Sequence, residues 1–192
     1  PYGAFLTLPG EYTYFFYHSQ FGPSGYFTGD KSIGHRLHFR PTYTLPLTRR
    51  YGYLNYSLAL DSTSYISQRP EDNGSRPESH LSHNIPIFSI SGGSKLERDL
   101  SLYHHAFWQT LEPRFRYTFI PYINQQQQPN FDTEISPFSF SQIFATNAFT
   151  GFDRLQNTSQ IGLGLTSRLF SQHDGEQVLQ ADLGGIVYFN QR

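Results

Sequence analysis

The sequence predicts an all-β fold: an antiparallel transmembrane β-barrel, represented here by a partial barrel of about seven strands. Three observations lead to that class. Side-chain character alternates with a period of two, the composition is aromatic but poor in charge, and the connecting segments alternate between long and short.

Charged residues make up 15% of the 192 residues and aromatics 17%, with 14 Tyr and 18 Phe. A soluble domain carries about 25% charged residues, whereas a barrel with one face in lipid and one in water accommodates this mixture. Mean hydropathy is −0.50, and there is no run of about 18 apolar residues, which excludes a transmembrane helix. A spanning strand needs only about 9–11 residues, half of them facing inward, so averaged hydropathy hides it. Cys is absent, which excludes disulfide and thiolate chemistry within these residues. Met is absent too, and no signal-peptide pattern opens the chain, so a piece of a longer precursor or a processed product is expected. A net charge of −1 supplies no basic field for nucleic acid.

The alternation is cleanest from Arg36 to Thr48. There Leu37, Phe39, Pro41, Tyr43, Leu45 and Leu47 interleave with Arg36, His38, Arg40, Thr42, Thr44, Pro46 and Thr48. Successive strand side chains point to opposite faces, so one face is apolar and the other cationic and hydroxylic. Thr110 to Pro121 repeats the pattern, with Leu111, Pro113, Phe115, Tyr117 and Phe119 against Glu112, Arg114, Arg116 and Thr118. So does Gln177 to Asn190, where Leu179, Ala181, Leu183, Gly185, Val187 and Phe189 oppose Gln180, Asp182, Gly184, Ile186 and Tyr188. Weaker strands are expected near Glu11–Ser19, Tyr51–Gln68, His80–Arg98 and Thr158–Phe170. In His80–Arg98 the apolar parity switches between Ile87 and Phe88, which predicts a bulge.

Residues 20–33, 69–79 and 122–156 are long polar segments, and shorter turns fall at Arg49–Arg50, Leu100–Ala106 and Ser171–Gly175. Long loops on one side and short turns on the other describe an outer-membrane barrel, with the long loops extracellular. Prolines 41, 46, 86, 113 and 121 lie in or at the ends of strand patterns, and each removes a ladder donor, so gaps in pairing are expected.

The histidine pairs His35/His38, His80/His83 and His104/His105 invite a metal reading. Residues i, i+3 and i, i+1 of a strand face opposite ways, so none is a natural chelate, and no metal or cofactor is expected. Asp61, His83 and the serines do not form a nucleophile motif, and no enzyme chemistry is expected. Arg36, His38, Arg40, Glu112, Arg114, Arg116, Arg168 and Asp182 should share a lumen face, with Leu37, Phe39, Tyr43, Leu45, Phe115, Tyr117 and Leu183 turned to lipid. Two roles stay open for the inward charges: Arg–Glu ladders that stiffen the wall, or guanidiniums that contact an anionic or polar occupant. The first is favoured. The tract Gln125–Gln128 reads as flexible loop. Asp153 and Arg154, at the end of that loop, are expected to anchor it, folded back over the barrel mouth.

Several ordered segments resemble the barrel domain of the LptD family. They are His35-Arg36-Leu37-His38-Phe39-Arg40-Pro41 running into Leu45-Pro46-Leu47, and Leu96-Glu97-Arg98-Asp99. Next come Gln109-Thr110-Leu111-Glu112-Pro113-Arg114 running into Pro121-Tyr122, and Gly151-Phe152-Asp153-Arg154-Leu155. Gly164-Leu165-Thr166-Ser167-Arg168 and Tyr188-Phe189 complete the set, which covers most of residues 34–190. The resemblance implies that residues 1–192 are a segment of a C-terminal outer-membrane β-barrel domain, with its periplasmic jellyroll and closing strands lying outside it. It also implies an LptE-like lipoprotein plug, lipopolysaccharide (LPS) and outer-membrane lipid as partners, and a periplasmic LPS-bridge protein reached through the N-terminal domain. The function implied is insertion of LPS into the outer leaflet. A porin-like or other outer-membrane transport barrel is the alternative, and a soluble carbohydrate-binding β-sandwich a third reading.

Overall fold

The computed structural model describes residues 3–16, 33–68, 70–71, 74–75, 79–102 and 105–189. Strands β1 (Phe5–Thr7), β2 (Gly10–Phe15), β3 (Ile33–Phe39), β4 (Thr42–Arg49) and β5 (Gly52–Gln68) come first. A two-stranded ribbon of β6 (Pro70–Glu71) and β7 (Gly74–Ser75) follows. The rest of the main sheet is β8 (Ser79–Ser94), β9 (Leu96–Leu102), β10 (His105–Ile120), β11 (Thr158–Ser171) and β12 (Gln177–Tyr188), with one 3-10 turn at Ser141–Phe144.

The ten strands of the main sheet make seven physical strands, because three of them are interrupted without losing register. Phe39 pairs with Ser62 and Thr42 with Ala59, so β3 and β4 are one strand crossing β5. Phe119 pairs with Phe88 and Leu111 with Leu96, so β8 and β9 are likewise continuous along β10. β1 and β2 run the same way along β4 and β3. At two of the breaks a backbone bond still bridges the strands, Arg40 N–H to the Pro9 carbonyl at 3.0 Å and Leu60 N–H to the Pro41 carbonyl at 3.1 Å. The order is an antiparallel meander from β1/β2 through β3/β4, β5, β8/β9, β10 and β11 to β12. The sheet is all-β, antiparallel and open, as a partial barrel is.

Prolines sit where a ladder has nothing to lose. Pro46 pairs with Asn55 in β5, but β1 has already ended opposite Thr44. Pro86 pairs with Leu60, beyond the reach of β10, whose ladder to β8 stops at Phe88. Pro113 pairs with Leu165 on one side, and on the other it falls in the gap between the β9 ladder, ending at Leu111, and the β8 ladder, beginning at Arg114. Each missing N–H therefore leaves no neighbour unsatisfied.

The structure corrects three boundaries. The bulge expected at Ile87–Phe88 is not there, since β5 and β8 pair without a slip from Gly52↔Ser94 to Ser67↔Ser79. The parity switch has another cause: Ile85 and Ile87 turn to the opposite face from Phe88 and join Ala59, Ile120 and Leu155 in a buried apolar cluster, with Ile123 packed against it. A register shift does occur between Leu169 and Phe170, against β12. Strand β10 begins at His105 and β9 runs to Leu102, so the expected turn at Leu100–Ala106 is much shorter. The strand expected at Glu11–Ser19 is observed as Gly10–Phe15, and its last three residues lie outside the described ones.

Candidate functional site: a polar face covered by its own loop

Residues 121–157 fold back over one face of the sheet. Cross-strand register assigns that face. Thr13, Arg36, Tyr65 and Leu81 lie in one row, Glu11, His38, Thr63 and His83 in the next, then Asp61 with Ile85 and Ala59 with Ile87. Further along, Arg116 pairs with Ser91 and Gly162, Glu112 with Thr166, and Thr166 with Asp182. Thus Arg36, His38, Glu112, Arg114, Arg116, Arg168 and Asp182 share one face, and Arg40 reaches the same face, 4.0 Å from Asp61. Leu37, Phe39, Tyr43, Leu45, Phe115, Tyr117 and Leu183 occupy the other by the same register. That second face is bare, with Leu58 56% and Leu183 74% exposed.

The covered face is organised around Arg36, only 1% exposed. Its Nη1 donates to Asp132 Oδ1 at 2.6 Å and Asp153 Oδ1 at 2.8 Å. Its Nη2 donates to Asp132 Oδ2 at 2.7 Å and Glu11 Oε1 at 3.2 Å. The fork therefore grips Asp132 through both oxygens, the geometry for which a planar guanidinium is suited. The rings of Phe15 and Phe152 flank it, 4.8 and 5.3 Å from the guanidinium carbon. Asp153 is fully buried. Its Oδ2 accepts the backbone N–H groups of Phe131 and Asp132 at 2.7 and 3.0 Å, and its own N–H donates to Thr133 Oγ1 at 3.0 Å. Arg154 does not pair with the Asp153 carboxylate. Its guanidinium donates to the carbonyls of Gln128, Pro129 and Asp153, at 2.8, 3.3 and 3.1 Å. One residue ties the loop to the sheet, and the next ties the loop to itself.

A second buried group lies alongside. Asp61 stands between His38 and His83, with Nε2–oxygen distances of 3.8 and 3.5 Å. His38 Nδ1 meets Thr63 Oγ1 at 2.9 Å, and its ring stacks on Phe152 with centroids 4.2 Å apart. His83 Nδ1 meets the side-chain amide of Gln128 at 2.8 Å. Gln128 is buried, so the end of the glutamine tract is held rather than flexible. The strand spacing correctly separates His35 from His38: His35 bonds the Tyr12 hydroxyl at 2.6 Å on the other face. What spacing could not show is that β3 and β8 bring His38 and His83 together across β5. His104 lies outside the described residues.

Towards the tight turns the polar face is laddered, and beyond Arg114 and Thr166 the ladder is uncovered, with Gln180 and Asp182 exposed. Arg168 pairs with Glu112, donates to Gln180 Oε1 at 3.3 Å, and Gln180 donates to Asp182 Oδ2 at 2.7 Å. Thr166 donates to Asp182 Oδ1 at 2.6 Å and accepts from Arg114 at 3.3 Å. Between ladder and ion cluster, glycines make room for the loop. A Cβ on Gly162 would run into the Ile143 carbonyl oxygen, and one on Gly164 would meet the Phe144 and Phe140 rings. The 3-10 turn thus presses onto bare backbone of β11, while Arg114 lies under the Phe140 and Phe144 rings and Arg116 donates to Thr146 at 2.7 Å.

Comparison with known proteins converges on one group. Residues 2–192 match the family described as LptD: LPS transport system D. The LPS-assembly protein LptD of Coxiella burnetii is 43% identical over 188 residues, 97% of this chain and 21% of the relative. The LPS-assembly protein LptD of Nitrosomonas europaea is 38% identical over 159 residues, 83% of this chain and 22% of the relative. That of Pseudomonas aeruginosa is 36% identical over 169 residues, 84% of this chain and 18% of the relative. The chain thus spans about a fifth of the length of the relatives it matches. With a meander of seven two-faced strands and a family match along nearly its whole length, the chain belongs to the LptD family of LPS transport proteins.

Proposed function

We propose that this chain forms part of the wall and the covering loop of an outer-membrane translocon that inserts LPS into the outer leaflet. The observation that carries the reading is the segregation of the two faces: bare aliphatic and aromatic side chains on one, a cationic and acidic ladder on the other. A wall between lipid and an aqueous lumen has this chemistry. On this reading Arg36, His38, Arg40, Glu112, Arg114, Arg116, Arg168 and Asp182 face the lumen, and Leu37, Phe39, Tyr43, Leu45, Phe115, Tyr117 and Leu183 face lipid. Asp153 and Arg154 anchor the loop over the extracellular mouth, and the tight turns are periplasmic.

The partners follow from the family. An LptE-like lipoprotein plug and the saccharide of LPS would meet the uncovered ladder, outer-membrane lipid the bare face, and a periplasmic bridge protein a domain N-terminal to this segment. Residues 1–192 would then belong to the C-terminal barrel domain, and the work is transport without covalent chemistry. A porin-like barrel is the second reading, and the loop lying across the polar face weighs against an open pore.

Adjacent residues supply the test. Photo-crosslinkers at Asp182 and at Leu183 of the full-length protein, in living cells, should give opposite products. Asp182 should yield adducts to a small lipoprotein or to LPS, and Leu183 adducts to phospholipid. Phospholipid at Asp182 would invert the faces, and no adduct at Asp182 together with high single-channel conductance would establish the porin reading.

A further inference from the structure

The bare face is not smooth. An apolar groove of about 900 Å³ crosses it. Its walls are Leu47, Leu54, Phe115, Leu163, Leu165 and Leu183, and backbone at Gly93, Gly164, Gly184 and Gly185 forms much of its floor. Glycine cuts the groove in two ways. A Cβ on Gly92 would strike the Phe115 ring, so its absence lets that ring come close to the strand, whereas a Cβ on Gly185 would meet nothing within 4 Å. The second position is therefore open depth rather than filled space.

The groove also has a polar end. Arg49 lines it beside Gly52, where β4 turns into β5, whereas Leu163, Leu165 and Leu183 come from the middles of β11 and β12. The Arg49 guanidinium donates to the Thr48 carbonyl at 3.3 Å and has no carboxylate partner among the described residues. Arg50 and Tyr51 stand next to it in the turn, with the Arg50 guanidinium carbon 5.6 Å from the Tyr51 ring centre. Basic and tyrosyl side chains gather where a spanning segment meets the headgroups.

We propose that the groove is a binding site for one glycerophospholipid of the leaflet on the tight-turn side. Its phosphate is gripped by Arg49, and its acyl chains run along the leucine walls towards the middle of the wall. Charge complementarity commits the site to that occupant. A guanidinium with no carboxylate partner among the described residues suits a phosphate at one end, and a continuous apolar trough leading away from it suits hydrocarbon. A second copy meeting it groove to groove would leave Arg49 unmatched, because the groove itself contributes no carboxylate. The proposal rests on the reading that the bare face is in lipid.

Lipid retained through mild detergent extraction of the full-length protein measures the site directly. The wild-type protein should keep a glycerophospholipid through washing. Gly185→Leu fills the groove over open space, and Arg49→Glu reverses the charge at its mouth. Each should lower retention roughly tenfold, the loss of one charge-assisted contact or of the space it serves, and Arg49→Lys should restore part of it. Equal retention in wild type, Gly185→Leu and Arg49→Glu would overturn the proposal, as would LPS in place of phospholipid. A photo-crosslinker at Leu58, on the same face but away from the groove, separates this failure from a failure of the membrane reading. Phospholipid adducts at Leu58 with unchanged retention defeat the groove alone, and no lipid adduct at Leu58 defeats the membrane reading with it.

Discussion

Arg36 shows how one side chain decides where thirty-seven others go, since residues 121–157 lie against the sheet through the carboxylates it holds. Three acidic groups surround one cation, so its removal leaves the fully buried Asp153 with backbone N–H donors but no cation. Stranding a buried charge costs about 3–5 kcal/mol. Arg36→Ala should lower protection of the Phe131 and Asp132 amides by a comparable free energy in hydrogen exchange, and unchanged protection would show that the loop is held elsewhere. Asp132 adds a pH dependence. The Arg36 hydrogen bonds foremost, then its charge, hold the Asp132 carboxyl below the usual carboxylate range. A depressed folded value means the contribution is complete above the ordinary carboxylate range and is lost as pH falls through the folded value. The protection of the loop amides, taken relative to the intrinsic exchange rate at each pH, should therefore fall on acidification, and Asp132→Asn should flatten that profile. An identical profile in the variant would remove Asp132 from the clasp. The sequence grouped Arg36 with the other alternating charges and flagged Asp153, but two of the three carboxylates around Arg36 lie 96 and 117 residues from it, and no local pattern carries such a distance. Asp61 and His83 were legible as strand residues and illegible as neighbours for the same reason.

At the scale of elements, alternation was enough to place the seven strands, because a two-residue period is what a strand with unlike faces must show. It misjudged the middle of β8, where both faces are apolar for different reasons. Phe88 and Ile90 belong to the bare face, and Ile85 and Ile87 to a patch that only becomes a core when Leu155 arrives. The 3-10 turn at Ser141–Phe144 had no periodic signature, yet its seat was written in glycine spacing: Gly162 and Gly164 face one way in β11, and Gly184 pairs with Gly164 from β12. Gly162→Val should unseat this turn, since the Ile143 backbone cannot yield as a side chain would. A cost of about 1–3 kcal/mol is expected for such overpacking. Faster exchange at residues 140–147, with β10 and β11 protection kept, is the signature to look for. Loss of protection along the whole of β11 would instead mean that the strand itself depends on that glycine.

Across the whole molecule the division into two faces is the property on which the proposed function turns. Leu45→Arg places a charge on the bare face, and near the bilayer midplane such a substitution costs about 2–4 kcal/mol. Full-length protein carrying it should accumulate as unassembled precursor in the periplasm, whereas normal assembly would argue that this face never meets lipid. Thr44→Arg, one residue along and on the opposite face by register, is the matched control and should assemble. The clasp around Arg36 also has a consequence in time. Its cation belongs to the second strand of the meander, but Asp132 and Asp153 come from the stretch joining the fifth strand to the sixth. Whatever order the early strands take, that guanidinium waits for most of its neutralising charge until later strands have brought the stretch home, and contacts so remote in sequence form slowly. Arg36 thus marks completion: until that stretch arrives its guanidinium lies uncovered beside Glu11, and the clasp closes only over a wall that has its later strands.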